Sequence, residues 1–194
     1  YNYQKFRLSD LILAIEKIPE ILRIRYTTSH PRDMTKDLIE VYGKSKKLMP
    51  LVHLPIQSGS DKVLKLMNRK YTIKEYLKIY DQLKEINTAI KFSSDFIIGY
   101  PGEDDNDFKN TIELIKKIKF INSFSFIFNP RPGTPASNLK MADKDVLNER
   151  LLRVQEELFR NQLSINNLLK NKIIDVLVEN KMDKSVKFFG RSKY

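Results

Sequence analysis

The sequence predicts an α/β fold built on a parallel sheet, and two observations carry that expectation. Apolar segments without strict alternation recur at residues 21–28, 51–57, 92–99 and 122–128, each separated from the next by a helical pattern. Strands buried on both faces read as continuous apolar runs, and their alternation with helices belongs to parallel sheets. The second observation is how those runs finish. His53-Leu54-Pro55-Ile56-Gln57-Ser58-Gly59-Ser60-Asp61 passes from an apolar strand into a small polar turn, and residues 92–103 repeat the pattern through Gly99 and Gly102 to Glu103. Ligands of parallel α/β folds sit at the carboxyl ends of strands, so two such ends in series predict one shared site.

The connecting elements follow in order. Ser9 precedes Leu11, Ile12, Ile15 and Ile18, the spacing of a helix with one apolar face. Thr72-Ile73-Lys74-Glu75 is a capping box ahead of Tyr76, Tyr80 and Leu83. A further helix is expected after Asp104 and Asp105, with Phe108, Ile112 and Ile115 turned to the sheet. Three prolines and a glycine in Pro130-Arg131-Pro132-Gly133-Thr134-Pro135 then force an extended loop. Beyond it, Val146, Leu147, Leu151, Val154, Leu158, Ile165, Leu168 and Leu169 mark the stripe of a single helix, roughly 37 Å long at about 1.5 Å per residue. Residues 173–179 and 185–189 read as two strands joined by a polar turn, too little to fold alone.

Composition bounds what the chain does. With 194 residues and 41% hydrophobic content it is expected to bury a core and fold as a soluble globule. No apolar run approaches the roughly 20 residues of a membrane span, and residues 1–5 hold no signal-peptide core, so a cytoplasmic location is the expectation. Position 1 is Tyr1 rather than methionine, which points to a start inside a longer reading frame. The net charge of +11 divides into +7 over residues 1–90, zero over 91–139 and +4 over 140–194. That balance fits a polyanion such as RNA, and it equally fits a lysine-rich composition with no such partner. Cysteine is absent, which excludes disulfides, thiolate metal sites and cysteine nucleophiles from these residues.

Four polar strand ends are candidates for chemistry: Thr27-Thr28-Ser29-His30-Pro31-Arg32, Gln57-Ser58-Gly59-Ser60, Gly99-Tyr100-Pro101-Gly102-Glu103 and Asn129-Pro130-Arg131. Gln57, Ser58 and Arg131 suit an amide, a hydroxyl or a carboxylate. His30 and His53 lie on separate segments without paired spacing and are read as hydrogen-bonded structural residues. Glu103, Asp104, Asp105 and Asp107 resemble a metal cluster but are better explained as first-turn acids favoured by capping and the helix dipole. Tyr71, Tyr76 and Tyr80 are assigned to the core.

Together, residues 25–33, 53–61, 93–103, Ser125-Phe126 and 129–136 resemble the radical-SAM methylthiotransferases, along essentially the whole chain. Thr27-Thr28-Ser29-His30-Pro31 and the Pro-Arg-Pro-Gly-Thr-Pro loop are most similar to the branch acting on N6-isopentenyl-adenosine beside the tRNA anticodon. The resemblance implies a partial (β/α) barrel at residues 1–140, a long connecting helix packed on it at 141–171, and the truncated start of a β-rich TRAM domain at 172–194. It further implies S-adenosylmethionine bound at the barrel mouth by Gln57, Ser58, Ser94, Asp95, Gly99 and Arg131, an iron–sulfur cluster, and tRNA as partner. Ile97 and Gly99 approximate the superfamily's adenine-contacting strand, with Glu103 one residue later than the usual spacing. The family's cluster-binding cysteines are missing, so no 4Fe-4S cluster is ligated here and no catalytic residue is assigned. The chain alone is expected to be inactive, with a complementary N-terminal chain as a further partner. Two other readings stay open: a non-catalytic remnant or RNA-binding accessory, and a sister methylthiotransferase acting on threonylcarbamoyl-adenosine.

A partial barrel exposes unpaired edge strands to association. Expressed alone, the chain should aggregate or melt with low cooperativity, and a sharp, reversible two-state melt of the monomer would contradict this.

Overall fold

The computed structural model describes residues 2–3, 5–27, 30–181 and 187–194. An antiparallel hairpin, β1 (Asn2–Tyr3) with β2 (Phe6–Arg7), leads into α1 (Leu8–Glu16). The helix starts one residue before Ser9, not after it. Asp10 accepts the Arg7 N–H, and Ser9, inside the first turn, donates to Asp37 at 2.6 Å. A long-range partner, Asp37, therefore engages the serine inside the helix rather than ahead of it.

Parallel pairing builds the sheet in sequence order. Ile24 bridges Leu48, β3 (Leu51–His53) pairs with β4 (Lys91–Ser93), Gln57 bridges Phe96, and β5 (Asp95–Ile98) pairs with β6 (Phe124–Ile127). Each extended segment lies beside the next one in the chain, the order of strands proceeding round a barrel rather than of a doubly wound sheet. The arc does not close among the described residues, so the structure is a partial barrel.

The strands are shorter than the apolar runs for identifiable reasons. Residues 21–27 keep one ladder contact, at Ile24, and the expected end of that run at Thr28 and Ser29 lies outside the described residues. After His53, Pro55 has no N–H to donate. The carbonyls of residues 54–56 turn instead to tyrosine hydroxyls: Tyr76 donates to Leu54 at 2.8 Å, and Tyr71 to Ile56 at 2.9 Å. These tyrosines are buried, and burial pushes the Tyr71 hydroxyl up to about 12. The core assignment of the tyrosines holds, with the added task of finishing a strand. At residue 94 the run 92–99 breaks because Ser94 Oγ accepts the Ile56 N–H at 2.9 Å while its own N–H goes to Ser123 Oγ.

Helices cover the convex face: α2 (Lys36–Lys44), α3 (Asp61–Leu66), α4 (Ile73–Ile86), α5 (Asp105–Ile118) and the long α6 (Lys144–Leu169). α4 opens with the expected capping box, in which Glu75 accepts the Thr72 N–H at 2.7 Å and Thr72 Oγ1 accepts that of Glu75. The core joins Val52, Leu54, Ile56, Tyr76, Leu83, Phe92, Phe96, Ile98, Ile115 and Phe120. α6 packs on α5, β5 and β6 through Leu147, Val154 and Leu158, whereas Val146 and Leu168 of the expected stripe are exposed. The chain closes with a bulged antiparallel pair, β7 (Leu177–Lys181) and β8 (Phe188–Arg191), and Arg23 donates to the Arg191 and Asp175 carbonyls. Residues 173–176, expected to be strand, are not, and residues 182–186, which hold most of the expected turn and the start of the second expected strand, lie outside the described residues. No helix among the described residues is long and apolar enough to cross a membrane.

Candidate functional site at the strand ends

Alternation along β5 fixes which groups face which side. Phe96 and Ile98 are buried toward the helices, so Asp95 and Ile97 face the concave side, opposite Phe124 and Phe126 of β6. Those two phenylalanines are more than half exposed, which leaves the concave face open. His53 joins this face, with Nδ1 2.9 Å from Ser93 Oγ and Nε2 3.5 Å from Asp95 Oδ2. His30 lies elsewhere, edge-on to Tyr71, with Nδ1 accepting the Arg32 N–H.

Gln57 sits at the centre of the candidate site in an unusual conformation. Its φ is +74°, a left-handed value that costs a non-glycine residue energy and persists only where its surroundings fix it. Here β5 fixes it, because Gln57 N–H donates to the Asp95 carbonyl at 3.0 Å and the Gln57 carbonyl accepts from Ile97 at 2.9 Å. Among the described residues its side-chain amide has no hydrogen-bond partner. Gln57, Ser94, Asp95 and Ile97 are thus brought together by backbone pairing across two strands.

The other predicted residues divide. Ser58 is fully buried, its Oγ accepting from Ser60 N–H and lying 3.5 Å from Thr111 Oγ1. Ser94 is fully buried as well, with its hydroxyl committed to Ile56. Both hydroxyls are occupied in shaping the strand ends. Gly59 donates to Thr111 Oγ1 at 2.9 Å, and a Cβ there would lie 2.5 Å from Thr111 Cα, so only glycine lets this loop lie on α5. Gly99, at φ +72°, ends β5. Arg131 is exposed in the proline loop, three residues past Phe128, whose N–H donates to Ile98 and whose ring contacts Tyr100.

The acids after Gly102 take separate roles. Asp104 caps α5 by accepting from Asp107 N–H, and Asp107 returns the bond to Asp104 N–H. Lys62 donates to both carboxylates at 2.7 Å, and its hydrogen bond is the main reason the Asp104 carboxyl is lowered to about 2. For Asp107 burial opposes ionisation, yet Lys62, Ser60 and the Asp104 N–H outweigh it and the net direction is down. These are the capping roles expected from the sequence. Glu103 differs from its neighbours, being a buried carboxylate whose Oε1 accepts from Gly99 N–H at 3.1 Å and from Arg150 at 2.8 Å, while Oε2 has no partner among the described residues. Sequence reasoning missed Arg150. The signal was an arginine on the buried stripe of α6 between Leu147 and Leu151, which required an acidic partner.

A second concave region lies between the sheet and the closing strands, a cleft of about 830 Å³ that Arg25, His53, Phe124, Phe189, Arg191 and Tyr194 help to line. With cations and aromatic rings together, it is chemically suited to phosphates and bases. No thiolate exists to hold an iron–sulfur cluster, so the residues present do not fit that group.

Burial raises the Glu103 carboxyl and outweighs the pull of Gly99 N–H and Arg150 in the other direction. A carboxyl raised on folding contributes stability fully below its ordinary value of 4.5 and loses it as pH climbs through the raised folded value. The stability of the unaltered protein relative to Glu103→Gln should therefore fall as pH rises from about 4 to 7. Urea unfolding of both proteins across that range checks this, and a flat or rising difference contradicts it.

Comparison with known proteins agrees with this architecture. The chain is 61% identical over 198 residues to a tRNA-2-methylthio-N(6)-dimethylallyladenosine synthase of Pelagibacter ubique, covering 100% of the chain and 44% of that protein. It is 46% identical to one of Ehrlichia canis with the same coverage, so it spans less than half the length of these relatives. Among solved structures, Escherichia coli coproporphyrinogen III oxidase, a radical SAM enzyme, superposes with a TM-score of 0.55 at 16% identity, over 68% of this chain and 31% of that one. An N-terminally deleted Elp3 of Methanocaldococcus infernus gives 0.50 at 19%, over 67% and 31%. These two show the shared fold. The profile of the Radical SAM superfamily matches residues 2–115, more than half of the chain, and the chain belongs to that superfamily.

Proposed function

We propose that this chain is the C-terminal part of a tRNA methylthiotransferase that adds a methylthio group to N6-isopentenyl-adenosine. The observation that carries the reading is the 61% identity, along the whole chain, to a synthase named for that product. Under this reading residues 1–140 are a partial barrel, 141–171 its connecting helix and 172–194 the opening of a TRAM domain.

The strand ends then bind S-adenosylmethionine, which supplies a 5′-deoxyadenosyl radical in this superfamily. Gln57 offers its unpartnered amide to the cofactor's polar groups. Asp95 would accept hydrogen bonds from the concave side, and Ile97 would offer its side chain to the adenine while Gly99 turns the strand end. Ser58 and Ser94 act by holding those strand ends in place, and Arg131 adds a cation from the exposed loop. The cluster's thiolates come from outside these residues, so the chain alone is inactive. Arg25 and Arg191, in the cleft between the sheet and the closing strands, face the tRNA.

Joining this chain behind the N-terminal portion of the Pelagibacter ubique relative, in a strain without its own enzyme, tests the reading. Mass spectrometry of digested tRNA should find 2-methylthio-N6-isopentenyl-adenosine with the fusion and none with this chain alone. A soluble fusion without product, beside a working intact control, would favour a non-catalytic RNA-binding fragment. Methylthiolated threonylcarbamoyl-adenosine instead would identify the sister activity.

A further inference from the structure

We infer that Arg150 on α6 is a positioning residue for the Gly99 strand end, acting through the buried Glu103 carboxylate. The inference rests on the reading that this strand end meets S-adenosylmethionine, and it deepens that reading by naming what holds the end in shape.

Three contacts converge on the turn at residues 99–103. Gly99 N–H is turned inward and donates to Glu103 Oε1 at 3.1 Å, a bond made possible by the glycine's φ of +72°. Arg150 NH1 donates to the same oxygen at 2.8 Å and to the Glu103 carbonyl at 3.4 Å, while NH2 reaches Asp105 at 2.7 Å. One turn earlier on α6, Leu147 lies so close to Gly99 that a Cβ there would run into its side chain. α6 therefore holds the turn by an apolar contact on one side and a charge-assisted bond on the other. The Arg150 guanidinium is itself fixed against the Phe108 ring, 5.3 Å from its centroid, so the brace is anchored in the core rather than in solvent.

The arrangement is poorly explained as a device for stability alone. Glu103 is buried with one oxygen unpartnered among the described residues, and a buried ion pair with incomplete hydrogen bonding commonly contributes less than apolar residues in its place. What the pair does provide is direction. Oε1 accepts from the strand end and the helix at once, so the orientation of the Gly99 peptide is coupled to the seating of α6.

Two variants of the fusion separate positioning from simple packing. Glu103→Leu combined with Arg150→Met replaces the pair by apolar side chains and removes the acceptor for Gly99, whereas Glu103→Gln keeps an acceptor oxygen. Two readouts are taken on each: amide hydrogen exchange of the segment around Gly99, and the Kd for S-adenosylhomocysteine by calorimetry. The double variant should exchange at least about tenfold faster around Gly99, with β3 unchanged, and bind about tenfold more weakly. Glu103→Gln should stay within about threefold of the unaltered protein on both. A double variant that only melts lower, with exchange and Kd unchanged, overturns the inference and leaves the cofactor reading intact. Failure of the unaltered fusion to bind S-adenosylhomocysteine overturns the cofactor reading, and this inference with it.

Discussion

The backbone pairing of Asp95–Ile98, with Gln57 on one side and Phe124–Ile127 on the other, is the constraint on which the rest of the structure depends. A buried parallel strand must satisfy its peptide groups on both edges, and here the two edges are met by different means. Toward β6 an ordinary ladder does so. Toward β3 the ladder is interrupted by Pro55, and the gap is closed by Ser94 Oγ, two tyrosine hydroxyls and Gln57 held at positive φ. The irregular edge consequently has the polar groups, and the left-handed turn leaves the Gln57 amide without a partner among the described residues. Satisfying the sheet and composing the site are the same event.

Charge around the first turn of α5 secures the second strand end. Asp104 and Asp107 cap the helix and draw in Lys62 from α3, which joins the loop after Gln57 to the loop after Gly99. Thr111 continues the join by receiving Gly59. On the opposite flank α6 reaches the same turn through Leu147 and Arg150. The two loops that end the buried strands are therefore fixed to helices rather than left to solvent, as a preorganised binding surface requires.

Much of this was legible locally. The capping boxes at Thr72 and Asp104 are written in four-residue words, and the parallel sheet in apolar runs separated by helical spacing. Glycines marked both strand ends, where the α5 backbone at Gly59 and the Leu147 side chain at Gly99 leave no room for Cβ. What was not legible depends on partners far along the chain. Ser94 breaks a strand because of Ile56, Ser9 sits inside α1 because of Asp37, and Ser58 is turned toward Thr111. Glu103 reads like its acidic neighbours, and only the position of Arg150 on the inner face of α6 sets it apart. A serine in a polar turn reads the same whether its hydroxyl faces outward or another loop, so sequence marked the polar strand ends but not which of their hydroxyls are already bonded.

The claim that these strand ends form the S-adenosylmethionine side of a radical SAM barrel is tested most directly by hydrogen exchange of the fusion with and without that cofactor. The account predicts added protection in residues 55–60 and 95–102, and none on the exposed face of α6 around Leu152 and Phe159. Protection confined to other segments, or none at all under saturating cofactor, would contradict it.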